Sequence, residues 1–142
     1  MESNDQAVKR VSGLSGEVKE LATTLRDNEN AHVDALTTAI KSIKGKPVKA
    51  PGVDFGNAFA NQKSFLKLAQ TFEDTGVSAY NGAAPSIQSK KLLAAAGSIV
   101  QVEARHAAAI RSLNGEAPTV SAFDRALSED QVLKAVKPFV KG

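Results

Sequence analysis

At 142 residues the chain suits a single domain, 1–142, long enough to bury a core without staples. It contains no cysteine, which excludes disulfides, zinc–thiolate sites and thiol catalysis. The net charge of +3 comes from scattered basic residues, so no nucleic-acid patch is expected, and no apolar run approaches the roughly 20 residues of a membrane span.

The opening residues, Met1-Glu2-Ser3-Asn4-Asp5, are polar and unlike a signal peptide. Residues 5–12 suit at most a short helical stretch, which Gly13-Leu14-Ser15-Gly16 breaks. Ser15 is placed to cap a long helix running to about Ile43, where Lys44-Gly45-Lys46-Pro47 stops it. Between Lys44 and Gly56, Gly45, Pro47, Pro51 and Gly52 with little periodicity predict an extended connection. At about 3.3 Å per residue it spans roughly 40 Å, the length of a helical bundle. A second long helix is predicted from about Asn57 to Tyr80, followed by a turn at Asn81-Gly82-Ala83-Ala84-Pro85. A third runs from about Ser86 to Leu113 and ends at Asn114-Gly115. The tail holds an apolar segment near Phe123 and one small helix, capped by Ser128 with Gln131 completing the box and ended by Pro138. No strand pattern or internal repeat is visible, so the chain reads as all-α.

Helical periodicity places charges where a core is expected. The apolar stripe of the first long helix is Val18, Leu21, Leu25, Leu36, Ile40 and Ile43, with Glu29 and His32 in its middle. The opposite face, with Lys19, Arg26, Asn30, Asp34 and Lys41, is polar throughout. The third helix repeats the arrangement: Glu103 and His106 interrupt the stripe of Leu92, Ala96, Ile99, Ile110 and Leu113. The second contributes Glu73 on the stripe of Phe59, Leu66, Ala69, Gly76 and Tyr80.

Three buried carboxylates need a physical reason, because an unpaired buried carboxylate is costly and like charges add to the cost. Divalent cations reverse the balance, and carboxylate oxygens with imidazole nitrogens suit iron and manganese. A Glu-x-x-His spacing puts both side chains on one helix face, one turn apart. Two such pairs, with a glutamate from a neighbouring helix, make a dinuclear carboxylate site of Glu29, His32, Glu73, Glu103 and His106. A single Glu-x-x-His arises often by chance on helix surfaces. Here both histidines of the chain lie in such pairs, and both lie on core stripes. The competing reading is a hydrogen-bonded polar network without metal.

Three blocks carry a family likeness: Asp27-Asn28-Glu29-Asn30-Ala31-His32-Val33-Asp34-Ala35-Leu36, Phe72-Glu73-Asp74-Thr75-Gly76-Val77-Ser78-Ala79-Tyr80 with Gly82-Ala83-Ala84-Pro85, and Val102-Glu103-Ala104-Arg105-His106-Ala107-Ala108. Over most of residues 13–138 the chain resembles the ferritin-like domain family that includes the desiccation-related proteins, kin of ferritins, rubrerythrins and manganese catalases. The resemblance implies a ferritin-like four-helix bundle with one long crossover, matching the connection at 44–56. It also implies a first helix bearing its own glutamate ligand. This sequence begins too late for that. Glu2 falls after the usual ligand position and on another face, so a shortened first helix and a site lacking one carboxylate are expected.

Tyr80 reads as a packed helix-end aromatic in preference to a redox side chain near the metals, Gly76 as a place of close helix approach or a kink, and Arg105, Asp34 and Asp74 as polar-face residues outside the site. The expected function is iron or manganese binding, with O₂, peroxide or Fe(II) as substrates if the protein is an oxidoreductase. The alternative is a non-catalytic stress or desiccation-related protein with an incomplete or empty site. Three long helices leave a seam between the 15–43 and 86–113 helices. Val8 and Val11 are too small to cover it, and the tail covers part at most. A homo-oligomer is therefore expected. Relatives are often exported, but no export signal is visible and no compartment follows.

Overall fold

The computed structural model describes residues 11 and 13–141. The predicted stretch at 5–12 and the question of Glu2 fall almost wholly outside them. Among the described residues there are four α-helices and no strand: α1 (Gly16–Ser42), α2 (Gln62–Ala83), α3 (Lys90–Leu113) and the short α4 (Glu129–Val136).

Each helix starts where a side chain satisfies its free amides. Ser15 caps α1 and Ser89 caps α3. Asn61 and Ser64 form a reciprocal box at α2, as Ser128 and Gln131 do at α4. Three predicted boundaries shift accordingly. The second helix begins at Gln62 rather than near Asn57, because Asn61 supplies the cap and the residues before it form turns. It also runs through the predicted turn to Ala83, after which Pro85 tightens the chain into a 3-10 turn, Ala84–Ser86. The third helix waits for Ser89, since Ile87 is extended.

The core cluster is Val18, Leu25, Leu66 and Ile110, with Leu21, Phe65, Ala69 and Leu113 against it. It joins the N-terminal halves of α1 and α2 to the C-terminal half of α3. So α1 and α2 run in the same direction and α3 runs against both. Two neighbouring elements in the same direction require a long return, which the segment 43–61 supplies. The most extensive packing is between α2 and α3, with α1 laid across α3.

Beyond His32 the described elements cover the expected stripe of α1 only in part: Ile40 is half-buried, but Leu36 and Ile43 are exposed, with Val33 beside them. On α3, Leu93 is likewise exposed. Between these ends lies an open groove lined by Ala35, Thr38, Ala39, Lys91, Leu92 and Ala95. The tail does not fill it. Instead α4 packs on α2. Leu127 donates its amide to the Ser78 carbonyl at 2.9 Å, and a Cβ on Gly82 would stand 1.8 Å from the Leu127 carbonyl oxygen. Gly82 is therefore a packing residue within α2 rather than a turn former. Gly76, by contrast, has no described neighbour within 4 Å of a would-be Cβ, so close approach does not explain it.

The chain end also clasps the crossover. Val53 and Val140 form an antiparallel bridge, flanked by Asp54 N–H to Phe139 C=O and Lys141 N–H to Gly52 C=O, both 2.9 Å. Phe55, Phe59, Phe72 and Phe139, from the same two segments and α2, pack edge-to-face or tilted, with ring centroids 5.1–6.2 Å apart.

Candidate metal centre

All five residues singled out in the sequence come together midway along the three long helices. On α1, Glu29 and His32 follow Leu25 on the buried face. On α3, Glu103 and His106 lie between Ile99 and Ile110, and on α2 Glu73 follows Leu66 and Ala69. Glu73, Glu103 and His106 are buried, whereas the Glu29 side chain is 37% exposed and marks the wetter edge.

Both imidazoles turn Nδ1 toward the carboxylates. His32 Nδ1 lies 3.3 Å from Glu29 Oε1 and 3.1 Å from Glu103 Oε1. His106 Nδ1 lies 3.3 Å from Glu73 Oε2, 3.5 Å from Glu103 Oε2 and 3.7 Å from Glu29 Oε1. The two oxygens of Glu103 are thus divided between the histidines, and Glu29 faces both. Glu73 belongs to the His106 side. The rings themselves are 6.4 Å apart. One donor atom each from Glu29, Glu73, Glu103 and His106 fits within 4.8 Å, close enough to share a cation. His32 adjoins this group through Glu29 and Glu103.

These approaches are short but not aligned as hydrogen bonds. Glu29 Oε1, His32 Nδ1 and His106 Nδ1 are buried with no hydrogen-bond partner. Orphaned buried atoms of this kind are costly, and three converging in one place are what a ligand-binding site leaves when its ligand is not counted.

The electrostatics reflect the same crowding. Burial pushes Glu73 up to about 7, with His106 opposing the rise. Burial and the charge of Glu103 also raise Glu29. Burial would raise Glu103 as well, but His106, its glutamate neighbours and His32 outweigh it and hold that carboxyl below its ordinary value. Burial pulls His106 down, yet the adjoining Glu103 and Glu73 carry it up to about 9. Without a cation, then, the cluster holds protons in its place.

Two neighbours were not read from the sequence as part of the site. Asn28 places its amide nitrogen 2.9 Å from His106 Nε2. The signal was its position one turn before His32 and one turn after Leu25, on the edge of the same face. Tyr80, read as a packed aromatic, is pushed up to about 12 by burial and by the charges of Glu103 and Glu29, so it faces the cluster electrostatically. Asp74 turns away and pairs with Arg111, while Asp34 and Arg105 are exposed.

A helical bundle with a buried Glu/His cluster able to hold metal is the class that fold and site define. A model of the ferritin-like domain family matches residues 2–116, and the chain belongs to that family. No curated protein matches it. The match takes in α1 to α3 and stops short of the tail, whereas the resemblance read from the sequence extended to about residue 138. No described helix is long and apolar enough to cross a membrane.

Proposed function

We propose that this protein binds a pair of iron or manganese ions through Glu29, His32, Glu73, Glu103 and His106. The observation that carries the reading is the convergence of three orphaned buried donor atoms, two of them histidine Nδ1, on shared carboxylates. In this reading Glu73 and His106 would hold one ion and His32 the other, with Glu29 and Glu103 placed beside both histidines. Such an ion pair supplies one-electron exchange and a place for O₂ or peroxide, so Fe(II) oxidation and peroxide removal are the fitting activities. The chain's own part is to neutralise the ions with three carboxylates, to fix both rings by Nδ1, and to keep the Tyr80 hydroxyl protonated nearby.

One observation favours a second reading. Among the described residues, His32 has only the two shared carboxylates beside it, while His106 has Glu73 as well. A stress-protective protein of the desiccation-related type, with a half-filled or empty site, fits that asymmetry. Elemental analysis of protein grown with iron or manganese decides. Two ions per chain, lost in the double variant His32→Ala/His106→Ala, support the first reading, and one ion or none supports the second. No bound metal, with unchanged affinity for added metal in the double variant, overturns metal binding at this cluster altogether.

A further inference from the structure

Among the described residues the two histidines are not equally supported. His106 has a partner on its outer nitrogen, since the Asn28 side chain reaches from α1 to Nε2 at 2.9 Å. The residue that precedes the other Glu-x-x-His pair is Val102, which has no polar atom to offer in return. We infer that Asn28 is a positioning residue that holds His106 in the tautomer able to bind a cation, making the Glu73–Glu103–His106 half the tighter of the two ion sites. The inference rests on the dimetal reading above.

A neutral imidazole has one N–H and one lone pair. For Nδ1 to offer its lone pair to a cation among Glu29, Glu73 and Glu103, the hydrogen must sit on Nε2. That hydrogen then needs an acceptor in a part-buried place. The tip of asparagine carries both an oxygen and a nitrogen, and which of them faces the ring follows the hydrogen-bond network. With Oδ1 turned to Nε2–H, Asn28 accepts that hydrogen and leaves Nδ1 free. With Nδ2 turned to a bare Nε2, it would stabilise the opposite tautomer, whose Nδ1–H cannot bind metal. Occupation of the site therefore selects the first orientation, and the contact in turn favours occupation. Asparagine does this without adding a fourth carboxylate to a cluster that already crowds three.

Removing an outer partner of a metal-binding histidine weakens metal binding by roughly tenfold to a hundredfold. The test is titration of zinc(II), a diamagnetic probe, into the metal-free full chain by calorimetry for wild type, Asn28→Leu and Asn28→Asp. Nitrogen NMR of the zinc-loaded proteins identifies the His106 tautomer. Asn28→Leu should weaken the tighter binding event by that factor, leave the weaker event in place, and lose the slowly exchanging Nε2 proton. Asn28→Asp keeps the shape and an acceptor, and should restore both affinity and proton. It also keeps the test decisive if the leucine variant does not fold. Wild-type zinc affinity in Asn28→Leu, or no recovery in Asn28→Asp, overturns the role of Asn28 alone. A wild-type chain that binds no zinc overturns the dimetal reading and this role together.

Discussion

Replacing Glu73 by Gln removes one charge from the cluster with almost no change of shape. Glu73 is only 9% exposed, and burial carries its carboxyl from 4.5 to about 7. A carboxyl raised on folding favours the native state fully below its unfolded value of 4.5, and that advantage is lost as pH rises through about 7. At pH 8 the folded, metal-free protein carries the whole penalty, ~3 kcal/mol for a rise of this size. The attraction of His106, which is carried up to about 9 and is still protonated there, opposes the rise and is already contained in that figure. Burying the Gln amide without a full set of partners offsets part of the gain. The net expectation at pH 8 is a gain of about 1–3 kcal/mol, or roughly 3–10 °C in Tm for a domain of this size. At pH 5 Glu73 is protonated in the folded state, so the gain should fall below about 1 kcal/mol. The assay is thermal unfolding of chelator-treated wild type and Glu73→Gln by circular dichroism at both pH values, followed by metal titration. Metal binding should be weaker in the variant. A lower metal-free Tm for Glu73→Gln at pH 8 would refute the reasoning, because the carboxylate would then be held by a satisfied hydrogen-bond network. An equal gain at pH 5 would show that the effect is not one of charge.

Iron(II) or manganese(II) at about 100 times its Kd should raise the Tm of the wild type by an amount equivalent to ~2.7 kcal/mol, and an unchanged Tm would count against binding to the folded state. Ile110 is fully buried in the core, so Ile110→Ala should lower urea-unfolding stability by about 2–5 kcal/mol; a loss under 1 kcal/mol would place the core elsewhere. Gly82→Ala drives a methyl group into the Leu127 carbonyl, and should cost about 1–3 kcal/mol and open the tail to protease. Unchanged proteolysis of the tail would be the contrary result. The apolar ends of α1 and α3 left exposed among the described residues predict at least twice the 14.9 kDa chain mass by light scattering, insensitive to salt; a folded monomer that binds no hydrophobic dye would disprove it.

The long helices were legible because their caps and their 3.6-residue stripes agreed, as Ser15 and the run from Val18 to Leu25 show for α1. The candidate centre was legible for a related reason. Glu29, His32, Glu73, Glu103 and His106 occupy stripe positions that apolar residues should hold, so the sequence contradicts itself only where chemistry is concentrated. What escaped was set by partners distant in sequence. Gly82 reads locally as a turn former, and only the return of Leu127 shows that its missing side chain makes room. Asn28 reads as an ordinary polar residue at the edge of a stripe until His106 arrives from 78 residues away. The exposure of Leu36 and Ile43 escaped for the opposite reason, since periodicity marks a face fit for burial without saying what covers it.

The clasp between Val53 and Val140 joins points almost 90 residues apart along the chain. Closing so large a loop from the unfolded state costs about 4 kcal/mol in chain entropy, more than two exposed backbone hydrogen bonds return. The clasp is therefore expected to close late in folding, which hydrogen exchange during refolding would report as late protection of the Asp54 and Lys141 amides. It forms cheaply only after the α2–α3 hairpin has drawn the intervening chain together and the phenylalanines have somewhere to pack. Every member of the Glu/His cluster lies earlier in the sequence than the tail, so the cluster can assemble while the crossover is still loose. A tail that closes last would lock the strap that joins α1 to the rest, so site assembly is expected to precede closure.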